Sequence, residues 1–211
     1  MALIDFRANE IHAKIVYYGP GRGGKTTNLV AIHKFLGRQA PGELLSINTM
    51  GDRTLLFDFL PMNVGRIGKF RLKISVYTVP GQVRYNDTRK LVLRGVDGIV
   101  FVADSLRVRR ASNVESLRNL DENLGDQGTS IAAVPLLLQY NKRDLSDGIV
   151  EVLSTEELES DLNPQGRFEA FPASAITGFG VKETFKRISV LTVMNVKEPF
   201  LRTEDFGRPH G

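Results

Sequence analysis

The chain has 211 residues, of which 42% are hydrophobic and 25% are charged, and its formal net charge is +4. These values predict one domain with a sizeable core, and the lack of basic stretches interleaved with aromatic residues argues against nucleic-acid binding. The absence of cysteine excludes disulfides, thiolate metal sites and prenyl or palmitoyl anchors.

The first segment, MALIDFRANE, has none of the features of a targeting signal. Asp5 and Arg7 interrupt any apolar region of a signal peptide, and Ala2 stands where myristoylation needs glycine. No apolar run in the sequence approaches the roughly 18 residues of a membrane-spanning helix. We therefore expect a cytoplasmic protein without a lipid anchor. The following segment, from His12 to Tyr18, is rich in β-forming residues and predicts a buried strand.

The stretch GPGRGGKTTN comes next and fits the pattern G-x-x-x-x-G-K-[ST], which is typical of phosphate-binding loops. Its glycines let successive N–H groups point at phosphate oxygens, and the helix that follows adds its N-terminal dipole. Lys25 brings a positive charge to the terminal phosphates, and the Thr26 hydroxyl can bind Mg²⁺. Arg22 points either at a phosphate or at solvent, and we favour solvent. The predicted nucleotide-binding residues here are Gly19, Gly21, Arg22, Gly23, Gly24, Lys25, Thr26 and Thr27.

Apolar residues at helical spacing predict a helix from Lys25 to about Leu36, closed by Gly37. The segment GRQAPGELLSINTMGDR has weak periodicity and predicts a long loop, which in a compact domain is usually functional. Two strands follow, TLLFDFLPM and FRLKISVYTVP, and we predict a turn between them at Gly65 to Gly68. Apolar and polar residues alternate in the second strand, as expected of a half-exposed strand.

Beyond this hairpin the chain alternates between apolar strands and helices. The strands are GIVFVAD, VPLLLQYN and FEAFPASA, and the helices are ASNVESLRNLDENLGDQG, TEELESDL and VKETFKRISVLTVMN. Ser154 and Glu157 form a capping box before the second of these helices. The order predicts an α/β fold, with a mostly parallel sheet of about six or seven strands, one antiparallel strand, and helices on both faces.

Two further stretches are interpreted from their composition. Arg107 to Arg110 reads RVRR and could bind an acidic partner or lipid headgroups, although a solvated cluster at a helix start is the favoured interpretation. The final EPFLRTEDFGRPHG contains two prolines and no periodicity. We therefore predict a domain over residues 1–197 and a flexible tail over 198–211.

The tetrapeptide NKRD, Asn141 to Asp144, follows the strand VPLLLQYN and indicates the base. A carboxylate at Asp144 can accept both hydrogens that guanine presents at N1 and N2, whereas adenine has no such donor pair. A site built for these bonds discriminates strongly against the wrong base. Asn141, Lys142 and Asp144 are therefore predicted to bind guanine. A backbone N–H of Ser174, Ala175 or Ile176, at the end of the last strand, is predicted to meet the guanine O6.

At this point the sequence resembles the Ras-type small GTPases, and more closely the bacterial mutual-gliding protein A (MglA) family. The matching stretches are KIVYYGPG…GKTTNL, DRTLLFDFLP, YTVPGQVRY, GVDGIVFVADS and QYNKRDL. The resemblance implies a Ras-like P-loop G domain that binds and hydrolyses GTP with Mg²⁺. It also implies a molecular switch in cell polarity and gliding motility, with switch loops that rearrange between the GDP and GTP forms.

The resemblance further implies partners. These are a Roadblock-type GTPase-activating protein, which is an MglB-like dimer, and effectors of polarity or motility. The chain alone is expected to be monomeric, slow in turnover, and recruited to the cell poles through protein partners.

The stretch TVPGQ, Thr78 to Gln82, corresponds to the D-x-x-G-Q loop of Ras-type enzymes. By this resemblance the Gly81 N–H contacts the γ-phosphate and Gln82 orients the attacking water. Thr78 stands at the position of the Asp, so the metal site has one anion fewer. The MglA family itself carries T-V-P-G-Q, so the substitution does not indicate an inactive enzyme.

The stretch GDRT, Gly51 to Thr54, carries the other residues that the resemblance assigns to hydrolysis. Thr54 would be the switch residue that senses Mg²⁺ and the γ-phosphate, with Thr49 as a rival because the loop length does not define the register. Arg53 would act on the transition state in cis. The predicted catalytic residues are thus Gln82, Arg53 and Lys25, and the predicted Mg²⁺ ligands are Thr26 and Thr54.

Two other functions stay open from the sequence. Thr78 in place of Asp is compatible with a scaffold that binds GTP and effectors with little or no turnover. A P-loop ATPase is the third hypothesis, which NKRD disfavours.

Overall fold

The computed structural model describes residues 3–37, 45–48, 56–81, 85–146 and 148–204. Its strands are β1 (Leu3–Asp5), β2 (Glu10–Tyr18), β3 (Leu45–Asn48), β4 (Leu56–Ile67), β5 (Phe70–Thr78), β6 (Gly98–Asp104), β7 (Leu136–Asn141) and β8 (Glu169–Pro172). Its helices are α1 (Lys25–Leu36), α2 (Asn86–Leu93), α3 (Arg110–Gly125), α4 (Thr155–Leu162) and α5 (Val181–Glu204). Short 3₁₀ helices cover Arg107–Arg109 and Arg143–Leu145.

The strands form one sheet in the order β3-β4-β5-β2-β6-β7-β8, and β1 pairs with β2. The pairings β5–β2, β2–β6, β6–β7 and β7–β8 are parallel. The pairings β1–β2, β3–β4 and β4–β5 are antiparallel. The predicted α/β class with helices on both faces is therefore confirmed. The eight-stranded sheet also contains β1 and β3, which have only 3 and 4 residues and which the sequence does not predict.

Strand β2 shows how the sheet separates two layers of core. Ile15 and Tyr17 pack with residues of α1 and α5, whereas Val16 and Tyr18 pack with residues of α2, α3 and α4. Central strand β6 is buried along its whole length, as its continuous apolar sequence predicts. Parallel strands covered on both faces end at a common edge, and the loops at that edge carry the predicted motifs.

The β4–β5 hairpin is longer than the sequence predicts. We expected a turn from Gly65 to Gly68, but β4 continues to Ile67 before the chain reverses. The pairing register shifts between Asn63 and Gly65, and Gly65 has a φ of 134°. Gly65 therefore allows a β-bulge within the strand instead of beginning the turn. The alternation predicted in β5 is confirmed, since its buried residues include Phe70, Leu72, Ile74 and Val76.

The helix ends agree with the sequence except at α5. Helix α1 spans the predicted residues, and Gly37 at its end has a φ of 50°. Ser154 and Glu157 form the predicted capping box: the Glu157 N–H donates to the Ser154 Oγ at 3.1 Å, and the Ser154 N–H donates to the Glu157 Oε2 at 2.8 Å. Local capping signals therefore agree with the start of α4 and the end of α1.

Helix α5 continues to Glu204, past the domain boundary predicted at residue 197. The sequence favours a boundary there because Pro199 lacks a backbone N–H and usually kinks or ends a helix. The helical backbone nevertheless runs through Pro199, so the first part of the predicted tail is helical. Residues 205–211 lie outside the described residues, and the flexible tail stays a prediction for them. None of the helices in the described ranges, α5 included, has the length and apolar character of a membrane span.

Candidate functional site

The predicted phosphate loop connects β2 to α1 at the common edge of the parallel strands. Gly19 and Gly24 have φ angles of 140° and 97°, in the region that favours glycine. A Cβ atom on Gly19 would overlap the carbonyl oxygen of Val102, and one on Gly24 would overlap the Nδ2 atom of Asn141. Both backbone conformation and space therefore require glycine at these positions.

Lys25, the first residue of α1, extends its side chain back into the loop. It is only 6% exposed, and its Nζ donates hydrogen bonds to the carbonyl oxygens of Gly19 at 2.9 Å and Pro20 at 2.7 Å. The ammonium group is therefore held inside the loop, next to the N-terminus of α1. Thr26 is exposed at the same helix start and Thr27 is half-buried, so both lie where a helix N-terminus attracts phosphate.

The middle of the loop is approached from a second segment of the chain. Gly21 is half-buried, and a Cβ atom on Gly81 would overlap the backbone of Gly21 and Pro20. Gly81 thus lies directly against the phosphate loop, where the sequence predicts its contact with the terminal phosphate. The side chain of Arg22 is exposed, in agreement with the favoured interpretation that it points to solvent.

Asn141 connects the phosphate loop to the loop after β8. Its side chain is buried at the end of β7, and its Nδ2 donates to the carbonyl oxygen of Gly23 at 2.8 Å. Its Oδ1 accepts a hydrogen bond from the Ala175 N–H at 2.8 Å. Three segments that are distant in sequence, and that were each predicted to bind the nucleotide, therefore meet at one side chain.

Lys142 and Asp144 continue this motif away from the strand. Lys142 has a φ of 70°, and its Nζ donates to the Oδ2 of Asp104 at 2.7 Å. Asp144 is exposed on the following 3₁₀ helix, and no other part of the described chain forms a hydrogen bond or ion pair with its carboxylate. Its two oxygens are therefore available to accept the two hydrogens of a guanine edge.

The three residues after β8 that were predicted to contact the guanine O6 differ in exposure and in hydrogen bonding. Ser174 and Ala175 are 2% and 4% exposed, whereas Ile176 is 80% exposed. The Ala175 N–H is already bonded to Asn141, so it serves to fix the loop. The Ile176 N–H makes no hydrogen bond within the described residues. The Ser174 N–H donates to the Phe179 carbonyl oxygen at 2.9 Å, so Ile176 is the one of the three whose N–H has no hydrogen-bond partner among the described residues.

The donor groups near Lys25 fit a magnesium ion bound mainly through phosphate oxygens. Mg²⁺ prefers hard oxygen ligands and usually keeps several waters besides substrate phosphates. Thr26, the predicted ligand of this kind, is exposed at the start of α1, and Thr78 is a buried threonine at the end of β5. The described residues contain no cluster of three or more His, Cys, Asp and Glu side chains that would favour another metal.

The residues that the resemblance assigns to hydrolysis lie outside the described residues. They are Arg53, Thr54, its rival Thr49, and Gln82. Their catalytic and metal-binding roles therefore stay predictions. Lys25 is the one predicted catalytic residue whose surroundings the structure describes.

A polar network joins the strand that leads into the phosphate loop to α2 and α3. The hydroxyl of Tyr18 donates to the Asn119 Oδ1 at 2.6 Å and accepts from the Asn123 Nδ2 at 3.1 Å. The Asn86 Oδ1 accepts from Arg89, Asn119 and Asn123. Burial raises the pKa of Tyr18 to about 12. The network therefore ties the start of α2, which follows the segment of Gln82, to α3.

Two residues of the site were not predicted. Asp104 is fully buried at the end of β6 and accepts a hydrogen bond from Lys142. A carboxylate at the end of an otherwise apolar strand is the sequence signal that could have identified it. Arg109 belongs to the RVRR cluster, which we interpreted as solvated. Its Nη2 instead donates to the carbonyl oxygen of Gly21 at 2.8 Å. No local pattern distinguishes Arg109 from its neighbours, because the contact spans 88 positions of sequence.

Comparisons with known proteins identify the family of the chain. The model of the ADP-ribosylation factor family matches residues 3–192. The chain is 46% identical over 198 residues to the mutual gliding-motility protein MglA of Myxococcus xanthus (strain DK1622), which covers 94% of this chain and 99% of that protein. The predicted resemblance and the predicted GTPase activity are confirmed by these matches. The chain therefore belongs to the ADP-ribosylation factor family and is a Ras-like small GTPase related to MglA.

Proposed function

We propose that this GTPase is a molecular switch that controls bacterial cell polarity and gliding motility. It would cycle between GDP and GTP forms, and its switch loops would rearrange with the nucleotide. The observation that carries the proposal is the Asn141 side chain, which bonds both the phosphate loop and the loop after β8. The name of the 46% identical relative, a gliding-motility protein, supports the cellular role.

In the proposed complex each end of the nucleotide meets its own group of residues. The Asp144 carboxylate accepts the N1 and N2 hydrogens of guanine, and the Ile176 N–H reaches O6. Lys25 and the N-terminus of α1 hold the terminal phosphates. Thr26, with Thr54 as the predicted second ligand, would hold Mg²⁺, which supplies charge neutralisation on the phosphates when bound.

Hydrolysis is proposed as in-line attack of water on the γ-phosphate. Gln82 would orient the water, the Gly81 N–H would contact the γ-phosphate, and Arg53 would offset charge in the transition state. The position of Gly81 against the phosphate loop supports this arrangement. Lys25 contributes a fixed positive charge, because its ammonium group is already held inside the loop.

The proposed partners are a Roadblock-type, MglB-like dimeric activating protein and effectors of polarity or motility. The protein would act in the cytoplasm and be recruited to cell poles through these partners.

The test is phosphate release from Mg²⁺-GTP with and without such an activator, for the wild type, Arg53→Ala and Gln82→Ala. We expect slow release by the wild type alone and faster release with the activator. Each substitution should remove most of the stimulated rate, since an arginine in this role contributes roughly 10³–10⁵-fold. Absence of phosphate release by the wild type with its activator would contradict the proposal.

The position of Thr78 favours a second candidate, a GTP-dependent scaffold with little turnover. This residue is 3% exposed at the end of β5, and a threonine cannot supply the carboxylate charge of the general Ras-type loop. The nucleotide that co-purifies with the protein separates the two functions. Mostly GDP supports the switch, whereas retained GTP supports the scaffold.

Guanine preference tests the base-binding half of the site separately. Asp144→Ala should bind GDP and ADP with similar affinity, because the discriminating carboxylate is gone. Wild-type protein that binds ADP as tightly as GDP would instead indicate the ATPase alternative.

A further inference from the structure

The three arginines of the RVRR stretch point in two directions. Arg107 forms a two-bond pair with Glu157, with N···O distances of 2.9 and 3.0 Å. Arg110 forms a similar pair with Asp161, at 2.7 and 2.8 Å. These paired bonds attach the start of α3 to α4. Arg109 lies between them and contacts the phosphate loop instead, through the carbonyl oxygen of Gly21.

We propose that Arg109 is a positioning residue for the phosphates of the nucleotide. By holding the Gly21 carbonyl, it directs the N–H of Arg22 towards the phosphate-binding side of the loop. The inference rests on the proposed placement of the nucleotide in this loop. It adds Arg109, which lies outside the GPGRGGKT motif, to the residues that determine the shape of the loop.

The geometry of one peptide bond carries this step. A trans peptide is planar, so its C=O and N–H bonds point in opposite directions. The described chain contains no cis peptide bond. The carbonyl of the Gly21–Arg22 peptide points at the Arg109 guanidinium, at 2.8 Å, and the Arg22 N–H therefore points away from it. Rotation of this peptide would turn the N–H towards Arg109 and remove it from the phosphate site.

The peptide needs such support because the backbone of Arg22 is strained. Its φ of 63° lies in the left-handed region, which is unfavourable for a residue with a side chain. A hydrogen bond from a charged donor is stronger than one between neutral groups. The Arg109 contact therefore stabilises a conformation that Arg22 would not adopt by its own preference.

Arg109 also lies near a buried carboxylate, at ion-pair distance and without a hydrogen bond to it. Its Nε lies 3.8 Å from the Oδ2 of Asp104, and the Asp104 side chain is fully buried while that of Arg109 is 32% exposed. The same carboxylate accepts the Lys142 Nζ at 2.7 Å and, through Oδ1, the Leu106 N–H at 3.1 Å. Asp104 therefore places a fixed negative charge near the guanidinium that binds Gly21.

The experiment compares the wild type with Arg109→Met, Arg109→Lys and a matched control, Arg110→Met. Methionine keeps the apolar stem and removes the donors, and Arg110 loses a two-bond pair without touching the loop. The readouts are GDP affinity in Mg²⁺, the phosphorus NMR shift of the β-phosphate of bound GDP, and thermal unfolding without nucleotide.

We expect Arg109→Met to weaken GDP binding about tenfold to a hundredfold and to move the β-phosphate resonance. Arg109→Lys keeps a charged donor and should recover part of both, and Arg110→Met should match the wild type in both. The inference is overturned if Arg109→Met has the GDP affinity and the β-phosphate resonance of the wild type. If the methionine variant does not fold, the same result for Arg109→Lys overturns it. A wild type that does not bind GDP would instead refute the proposed function.

Discussion

At the scale of single residues, Asn141 is the side chain on which the site depends most. Asn141→Ala should lower the free energy of unfolding by about 1–3 kcal/mol, because it leaves the buried Ala175 N–H and Gly23 carbonyl without partners. GDP affinity should fall as well, since the two loops are no longer joined. Urea unfolding measures the first effect, with the exposed helical Asn195→Ala as the control that should change little. Equal stability of the two variants would contradict the bridging role.

The predicted site residues that the structure brings together share a property. The phosphate loop and NKRD are contiguous motifs, whose spacing follows from the short reach of backbone groups around one ligand. Arg109 contacts Gly21 across 88 positions of the chain, and no local pattern distinguishes it from its neighbours. The sequence therefore predicts the motifs of the site and not the contacts that hold those motifs in place.

At the scale of elements, α5 packs unusually closely on β6. A Cβ atom on Gly98 would overlap the Thr192 Oγ1, which is buried without a hydrogen-bond partner among the described residues. Gly98→Ala should therefore lower the free energy of unfolding by about 1–3 kcal/mol, as overpacking does. Denaturant unfolding with an unchanged m-value measures this effect.

Gly125 provides the matched control for this substitution. It is the last residue of α3, and a Cβ atom there would meet nothing within 4 Å. Gly125→Ala should raise stability by about 0.5–1 kcal/mol through helix propensity. When Thr192→Ala is added to the Gly98→Ala variant, it should restore part of the lost stability, because it removes the oxygen that the new Cβ atom would overlap. If Gly98→Ala has the same free energy of unfolding as the wild type, α5 does not pack on β6 as closely as described.

Among the elements, the ones missed by the sequence are short or lack periodicity. Strand β3 has 4 residues inside a stretch with Gly and Pro, and its pairing with β4 supplies what local preference does not. Helix α2 has consecutive apolar residues at its end, Leu91, Val92 and Leu93, instead of the helical spacing that would predict it. Tertiary contacts determine these elements, whereas the long strands and helices were predictable from their own pattern.

At the scale of the whole molecule, buried tyrosines determine the response to high pH. Burial raises the pKa of Tyr17, Tyr18 and Tyr140, and that of Tyr18 rises from 10.0 to about 12. A folded-state pKa above the unfolded value means that this stability is complete below pH 10 and is lost as the pH rises towards 12. Tyr18 alone accounts for about 3 kcal/mol over this interval. We therefore expect alkaline unfolding in this range.

The measurement is tyrosinate absorbance alongside circular dichroism during alkaline titration. At most two of the five tyrosines should ionise while the protein is still folded, and the remaining three should ionise together with unfolding. Ionisation of all five before the circular dichroism signal changes would show that these hydroxyls are accessible, contrary to the structure.

The position of Asp104 has a consequence for which compounds the protein selects. One buried carboxylate oxygen lies 2.7 Å from the ammonium of Lys142, which is predicted to bind the base, and 3.8 Å from the guanidinium that reaches the phosphate loop. A ligand that occupies both halves acts on both cations, which share this one anion, whereas a fragment acts on only one of them. Base and phosphates should therefore bind cooperatively. Guanosine and inorganic pyrophosphate, added separately, should bind far more weakly than the intact nucleotide that joins them.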